Sequence, residues 1–169
     1  MIYPIVKYGD PVLETPAAPV IEFGDKLKKL VDDMFESMYE AQGVGLAAPQ
    51  IGISLRLSVI DTSFKEDPEA RLVLANPEII SMEGTQTGGE GCLSIPDFRE
   101  NLTRGKRVTI KAQDVNGNWY EKTGEDLLAR AFQHEIDHLN GMLYIHRLSS
   151  LKRDMIKRKI RRLQRQGEW

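Results

Sequence analysis

The residues that could do chemistry stand together at His134-Glu135-Ile136-Asp137-His138, an H-E-x-x-H pattern. On a helix, residues four apart lie about 40° apart around the axis and one turn along it. Both imidazoles then face the same way and can hold one metal ion, with Glu135 beside it as general base. The flanks predict that helix. Leu127, Leu128, Ala131, Phe132, Ile136 and Leu139 recur at three- and four-residue steps, the period of a helix with one apolar face. Asp126 brings an acid to the first turn, and Gly141 stands past the end as a stop. The plainer alternative is a surface helix that carries two histidines by chance. The chain has three His in all, and the third, His146, falls outside the pattern.

A catalytic metal site needs a third protein ligand. Downstream, the extended pattern H-E-x-x-H-x-x-G-x-x-H finds Gly141 in its glycine slot but Tyr144 where the last His should be. The acids beyond Asn140 are Asp154, in a basic stretch, and Glu168, near the end. Upstream stands Cys92, the one Cys of the chain, in Gly88-Gly89-Glu90-Gly91-Cys92-Leu93-Ser94-Ile95-Pro96. A Cys-His-His set with a fourth position open to water is sound coordination chemistry, suited to iron(II), zinc, cobalt or nickel. A buried small hydrophobe is the other reading of Cys92.

The elements that must position these residues read as follows. With 169 residues and 41% hydrophobic content, the chain is long enough for a single domain, 1–169, with a real core. Its net charge of −2 provides no general field for nucleic acid, so no DNA partner is expected. Neither a signal peptide nor a membrane span is legible, and one Cys fits a reducing cytosol; a cytoplasmic location without a membrane partner is the expectation. Residues 1–20, punctuated by Pro4, Pro11, Pro16 and Pro19, predict an extended arm. An amphipathic helix is predicted from about Asp25 to Glu40, with Leu27, Leu30, Val31, Met34 and Met38 as its stripe.

Gly43 to Gly52 reads as a loop of small residues ending in a lone polar Gln50. It could present backbone groups and the Gln50 amide to a peptide, or it could be a tight packing turn with an exposed Gln. Strands are predicted at 55–60, at 71–75 ending in Asn76-Pro77, at 78–83, and at 107–112; Asp114 to Tyr120 carries an Asn-Gly hairpin signal. Asp61 to Ala70 reads as a charged surface loop. Short antiparallel strands packed around a central H-E-x-x-H metal helix, with an N-terminal helix and a basic C-terminal helix at 148–169, make an α+β arrangement. In that last helix Leu148, Leu151, Met155, Ile156, Ile160 and Leu163 form the apolar side, and nine Lys and Arg from Arg147 to Arg165 make it basic. It is either a solvated face or a footprint for RNA or another polyanion.

Taken together, Gly43-Val44-Gly45-Leu46-Ala47-Ala48-Pro49-Gln50, Glu90-Gly91-Cys92-Leu93-Ser94 and Gln133-His134-Glu135-Ile136-Asp137-His138-Leu139 resemble, in order and spacing, the three motifs of the peptide deformylase family. The arm with Asp10-Pro11-Val12-Leu13, the Asn76-Pro77 turn and the basic final helix resemble its bacterial form. The resemblance implies removal of the N-formyl group from the formyl-methionine that begins nascent chains, with release of formate. It further implies Cys92, His134 and His138 as ligands of iron(II), which zinc, nickel or cobalt can replace. Glu135 is then the acid and base, and Gln50 and the Leu93 backbone N–H face the oxyanion. Val44, Gly45 and Gly91 pair with the peptide backbone. An apolar pocket for methionine is expected from Val44 and Leu127, while Arg99 and Arg130 acquire no role. The basic helix is expected to dock near the ribosome. Two readings remain beside this one: another H-E-x-x-H hydrolase such as a peptidase, and a non-enzymatic, metal-stabilised ribosome-binding module.

Overall fold

The computed structural model describes residues 1–169. Helix α1 spans Asp25–Glu40, the bounds its apolar stripe predicts. Leu27, Val31, Met34 and Met38 bury one face of it against Leu46, Leu57 and Val59. The strands are β1 Gly45–Ala47, β2 Leu57–Ile60, β3 Leu72–Cys92, β4 Ile95–Gln113 and β5 Trp119–Glu125. They form one sheet in chain order, each antiparallel to the next.

Several expectations change here. The strands are not uniformly short, since β3 has 21 residues and β4 has 19. Asn76-Pro77 does not end a strand; β3 runs through it with a register shift between Ala75 and Glu78. Asn76 adopts a left-handed φ of 50°, which Asn tolerates better than most residues. Its side chain accepts from Val20 N at 2.9 Å and donates to Val20 O at 2.9 Å and Gln113 Oε1 at 2.7 Å. Those partners lie far along the chain, so the bulge is held by tertiary contacts. The glycine-rich run before Cys92 is therefore strand. The predicted loop at 43–52 also contains structure: β1, then a 3-10 turn over Ala48–Ile51. The hairpin signal holds, with Asp114 Oδ1 accepting from Asn116 N and Asn118 N at 2.8 and 3.0 Å and Gly117 at φ 83°.

Helix α2, Asp126–Leu139, packs across β4 and β5 and reaches β1. Ala129, Phe132 and Ile136 bury with Ile60, Leu74, Val108 and Ile110, each large side chain contributing about 1.5–3 kcal/mol. Helix α3, Ser150–Arg165, begins where Ser149 Oγ accepts from Lys152 N at 3.3 Å. Ile156 and Ile160 bury beside Leu13 and Tyr144, whereas Leu151 and Met155 are 72% and 48% exposed. They lie about 100–180° around the helix from the buried pair, and α3 is covered on one side only. No helix is long and apolar enough to cross a membrane. The N-terminal arm then stitches the three motif segments together. Val6 N donates to Gln50 O at 2.7 Å, Tyr8 N to Ser94 O at 2.8 Å, and Ala17 N to Leu139 O at 3.0 Å.

Candidate active site

Strand β3 and helix α2 bring the lone Cys to the two histidines. Cys92 Sγ lies 3.4 Å from His138 Nε2, and His138 Nε2 lies 3.1 Å from His134 Nε2. Both histidines sit on α2 one turn apart, as their spacing requires. Cys92 stands at the end of β3 just before the tight turn into β4, where Cys92 pairs with Ile95. His146 is elsewhere, its Nδ1 accepting from Leu143 N at 2.9 Å.

Glu135 is 3% exposed, and burial pushes its carboxyl up to about 7, where a general base or acid works best near neutral pH. Ser58 Oγ donates to Leu46 O at 3.0 Å and lies 3.4 Å from Glu135 Oε1. A Cβ added at Gly45 would stand 2.6 Å from Glu135 Oε2, so glycine is what lets β1 and this carboxylate share the space. Gly45→Ala is expected to leave the fold intact at some cost in stability, because Cδ and Cγ of Glu135, at 2.9 and 3.2 Å from the added Cβ, must shift along with the carboxylate. Turnover should nevertheless fall about a hundredfold, the effect of displacing a catalytic group by about 1 Å. A melting curve with steady-state kinetics checks both halves.

Gln50 is buried, not exposed. Its Oε1 accepts from Ala47 N at 3.0 Å, a bond that only the oxygen end of the amide can make. The amide NH2 thus points to Ser94 Oγ at 3.2 Å and Cys92 Sγ at 3.5 Å. A cavity of about 650 Å3 opens beside these groups. Val44, Gly45, Gly91, Leu93 and Leu127 all line it, with Phe64, Phe98 and Arg99. Leu127, 44% exposed, faces this space instead of the core. Arg99 Nη2 donates to Gly89 O at 3.2 Å on the same wall.

The sequence model of the polypeptide deformylase family matches residues 2–154. A peptide deformylase of Acidobacterium capsulatum is 64% identical over 169 residues, covering 100% of this chain and 99% of that one. The crystal structure of a peptide deformylase from Legionella pneumophila superposes with a TM-score of 0.91 at 47% identity, covering 99% of this chain and 98% of that one. The chain belongs to the polypeptide deformylase family. A Plasmodium falciparum peptide deformylase structure, at 37% identity and 96% coverage of each chain, has a TM-score of 0.89.

Peptide deformylases are metal-dependent enzymes, and the donor set of this one fits a metal. The three ligand atoms lie within 4.8 Å of one another. Two ligands on one tetrahedral ion are separated by about 3.3–3.6 Å, given ordinary metal–nitrogen and metal–sulfur bonds; the sulfur–nitrogen approach of 3.4 Å is of that size, and the two imidazole nitrogens, at 3.1 Å, stand slightly closer. His134 Nδ1 is 2.7 Å from Glu90 Oε2. If Nδ1 carries the proton, the Nε2 lone pair is left for a cation. The two rings respond to their surroundings in opposite directions. Burial pushes the His138 ring well below its ordinary pKa. At His134 burial acts likewise, but Cys92 and Glu90 outweigh it and hold that ring well above.

Sequence reasoning missed the groups behind this deformylase site. Glu90 would by burial be raised; instead hydrogen bonds from His134 and Arg104 hold its carboxyl well below the usual range. Arg104 forks onto it through Nε at 3.0 Å and Nη2 at 2.6 Å, and Arg130 Nη1 adds a contact at 2.8 Å. Arg104 Nη1 also reaches Asp137 Oδ2 at 2.7 Å, and Arg147 closes the network onto Asp137 at 2.6 and 2.8 Å. Arg130 thus steadies the acid that orients His134. A signal for Glu90 was present: it stands two residues before Cys92, on the same face of a strand. Glu90→Gln should weaken metal binding about 10- to 100-fold, the usual effect of losing such a partner. Competition with a chelator measures it, and an unchanged affinity would remove Glu90 from that role.

Proposed function

We propose that this chain hydrolyses the N-formyl group of the formyl-methionine at the start of nascent polypeptides and releases formate, acting through Cys92, His134, His138 and Glu135. The observation that carries this is the convergence of one sulfur and two imidazole nitrogens beside a buried carboxylate at a cavity of about 650 Å3. Residues 1–169 act as one catalytic domain. Helix α2 is its metal helix, with Cys92, His134 and His138 holding one divalent ion. Iron(II) suits this mixed thiolate and imidazole set, as do zinc, nickel and cobalt. A metal there supplies Lewis acidity and a water acidic enough to lose a proton near neutral pH.

The residues of the chain do the rest. Glu135 takes a proton and passes it to the departing amine. The Gln50 amide NH2 and the Leu93 backbone N–H stabilise negative charge on the formyl oxygen, a donor of this kind being worth about 3 kcal/mol. Val44, Gly45 and Gly91 offer backbone groups to the peptide. Val44 O is fixed in place by Asp61 N at 2.8 Å. Val44 and Leu127 wall the methionine pocket. A tight site accepts a carbonyl carbon that bears only hydrogen and rejects acetyl on size.

The test is elemental analysis of anaerobically purified protein, paired with formate release and mass spectrometry of digested formyl-Met-Ala-Ser. Loss of the formyl group alone is expected; a cut peptide bond would make the chain a peptidase. The ribosome, reached by the basic helix α3 in the cytoplasm, is the proposed partner of the folded enzyme. Eight Lys and Arg against one Asp support it. Reversing the exposed Arg158, Lys159 and Arg162 to Glu is expected to abolish co-sedimentation with ribosomes without changing formate release from tripeptides; unchanged pelleting refutes the docking.

A further inference from the structure

We propose that Phe64 is a specificity-determining residue, its ring forming an apolar wall at the cleft mouth for a side chain downstream of formyl-methionine. The inference rests on the reading of the site given above. Phe64 lines the same cavity as Val44 and Leu127 and is 66% exposed. A single exposed apolar residue needs no explanation; its backbone does. Phe64 and Lys65 have φ of 55° and 72°, a left-handed region unfavourable to bulky side chains. Such strain persists only where surrounding structure imposes it.

The surroundings impose it here. Asp61 is buried, and its Oδ1 accepts from Ser63 N at 2.8 Å and Ser63 Oγ at 2.6 Å, while Tyr39 donates its hydroxyl to Oδ2. Lys65 Nζ stands 4.7 Å over the Tyr39 ring, and the Arg71 guanidinium stands 4.0 Å over Phe35. The rings of Phe35 and Tyr39 stack on α1 at 6.1 Å. Asp61 N holds the carbonyl of Val44. The segment is therefore clamped both to α1 and to the cleft rim, with the Phe64 ring presented at the opening. A formyl-methionine bound against Val44 sends the next residues toward that opening, at about 3.3 Å per residue in extended form. The second or third side chain of the peptide then reaches the ring. An aliphatic or aromatic side chain gains from burial against it, and a polar one does not.

The experiment measures kcat and KM for formyl-Met-Phe-Ala, formyl-Met-Ser-Ala, formyl-Met-Ala-Phe and formyl-Met-Ala-Ser. Wild type is expected to prefer Phe over Ser about fivefold in kcat/KM at one of the two positions, through KM. Phe64→Asn should erase that preference, bringing kcat/KM for the Phe peptide down to the value of its Ser counterpart through KM. Because Asn tolerates the left-handed backbone, this variant should melt no lower than wild type. Phe64→Tyr should keep the preference. Wild-type indifference at both positions overturns the proposal, as does Phe64→Asn that retains the preference or slows all four peptides alike. If wild type releases no formate from any peptide, the deformylase reading of the site falls, and this inference with it.

Discussion

Glu135→Gln lowers kcat by about 10²- to 10⁴-fold, the range for loss of a positioned general acid and base, while metal content and melting temperature stay near wild type. Glutamine has the same shape, but it cannot take up a proton. Nothing else in the site is placed to substitute. Gln50 is bound through its oxygen to Ala47 N, Glu90 is occupied by His134, Arg104 and Arg130, and Asp137 is held by Arg104 and Arg147. The measurement is single-turnover formate release together with elemental analysis of the same preparation. Full turnover by a metal-loaded Glu135→Gln variant would sink the assignment and favour a binding module in which this carboxylate is idle. The variant differs from Gly45→Ala in mechanism: one removes the proton acceptor, the other moves it.

Arg104→Leu is expected to destabilise the fold by about 3–5 kcal/mol, the usual consequence of removing one partner from a buried ion pair. Arg104 is 4% exposed and bridges two carboxylates, Glu90 and Asp137, that are 4% and 5% exposed. Its forked guanidinium serves both at once through three nitrogens. Leucine fills the volume but leaves two buried anions short of donors. Lysine carries the charge without the fork, so Arg104→Lys should recover only part of the loss. Each kcal/mol shifts the melting temperature of a chain this size by about 2–4 °C, so the leucine variant should melt about 6–20 °C below wild type. Thermal unfolding followed by circular dichroism decides it; a melting curve superimposable on wild type means that Arg130 and Arg147 suffice. Metal affinity should fall in the same variant, because Glu90 loses its bidentate partner and with it the fixed orientation of His134. Loss of both stability and metal affinity is thus the expected result of changing one side chain that touches neither substrate nor the three donor atoms.

The sequence by itself determined the local parts. Helix α1 has the bounds its apolar period predicts, and α2 carries His134 and His138 on one face because the helix repeat places residues four apart together. The Asn-Gly hairpin and the family also followed from local pattern and motif order. Tertiary structure alone decided how the parts meet. Cys92 faces the imidazoles only because β3 and α2 pack together and the N-terminal arm bonds to all three motif segments. Asn76-Pro77 looks like a strand end, yet β3 continues through it, since Val20 and Gln113 supply partners that no neighbouring residue announces. Leu127, Leu151 and Met155 fit helical stripes but lie outside the core, because periodicity says which way a side chain points and not what stands opposite. Arg104 lies in an ordinary polar stretch of sequence. Its importance comes from two carboxylates, 14 and 33 residues away, that fold onto it. Periodicity is a property of one element, whereas a buried charge has meaning only beside its partner, and partners are chosen when elements pack.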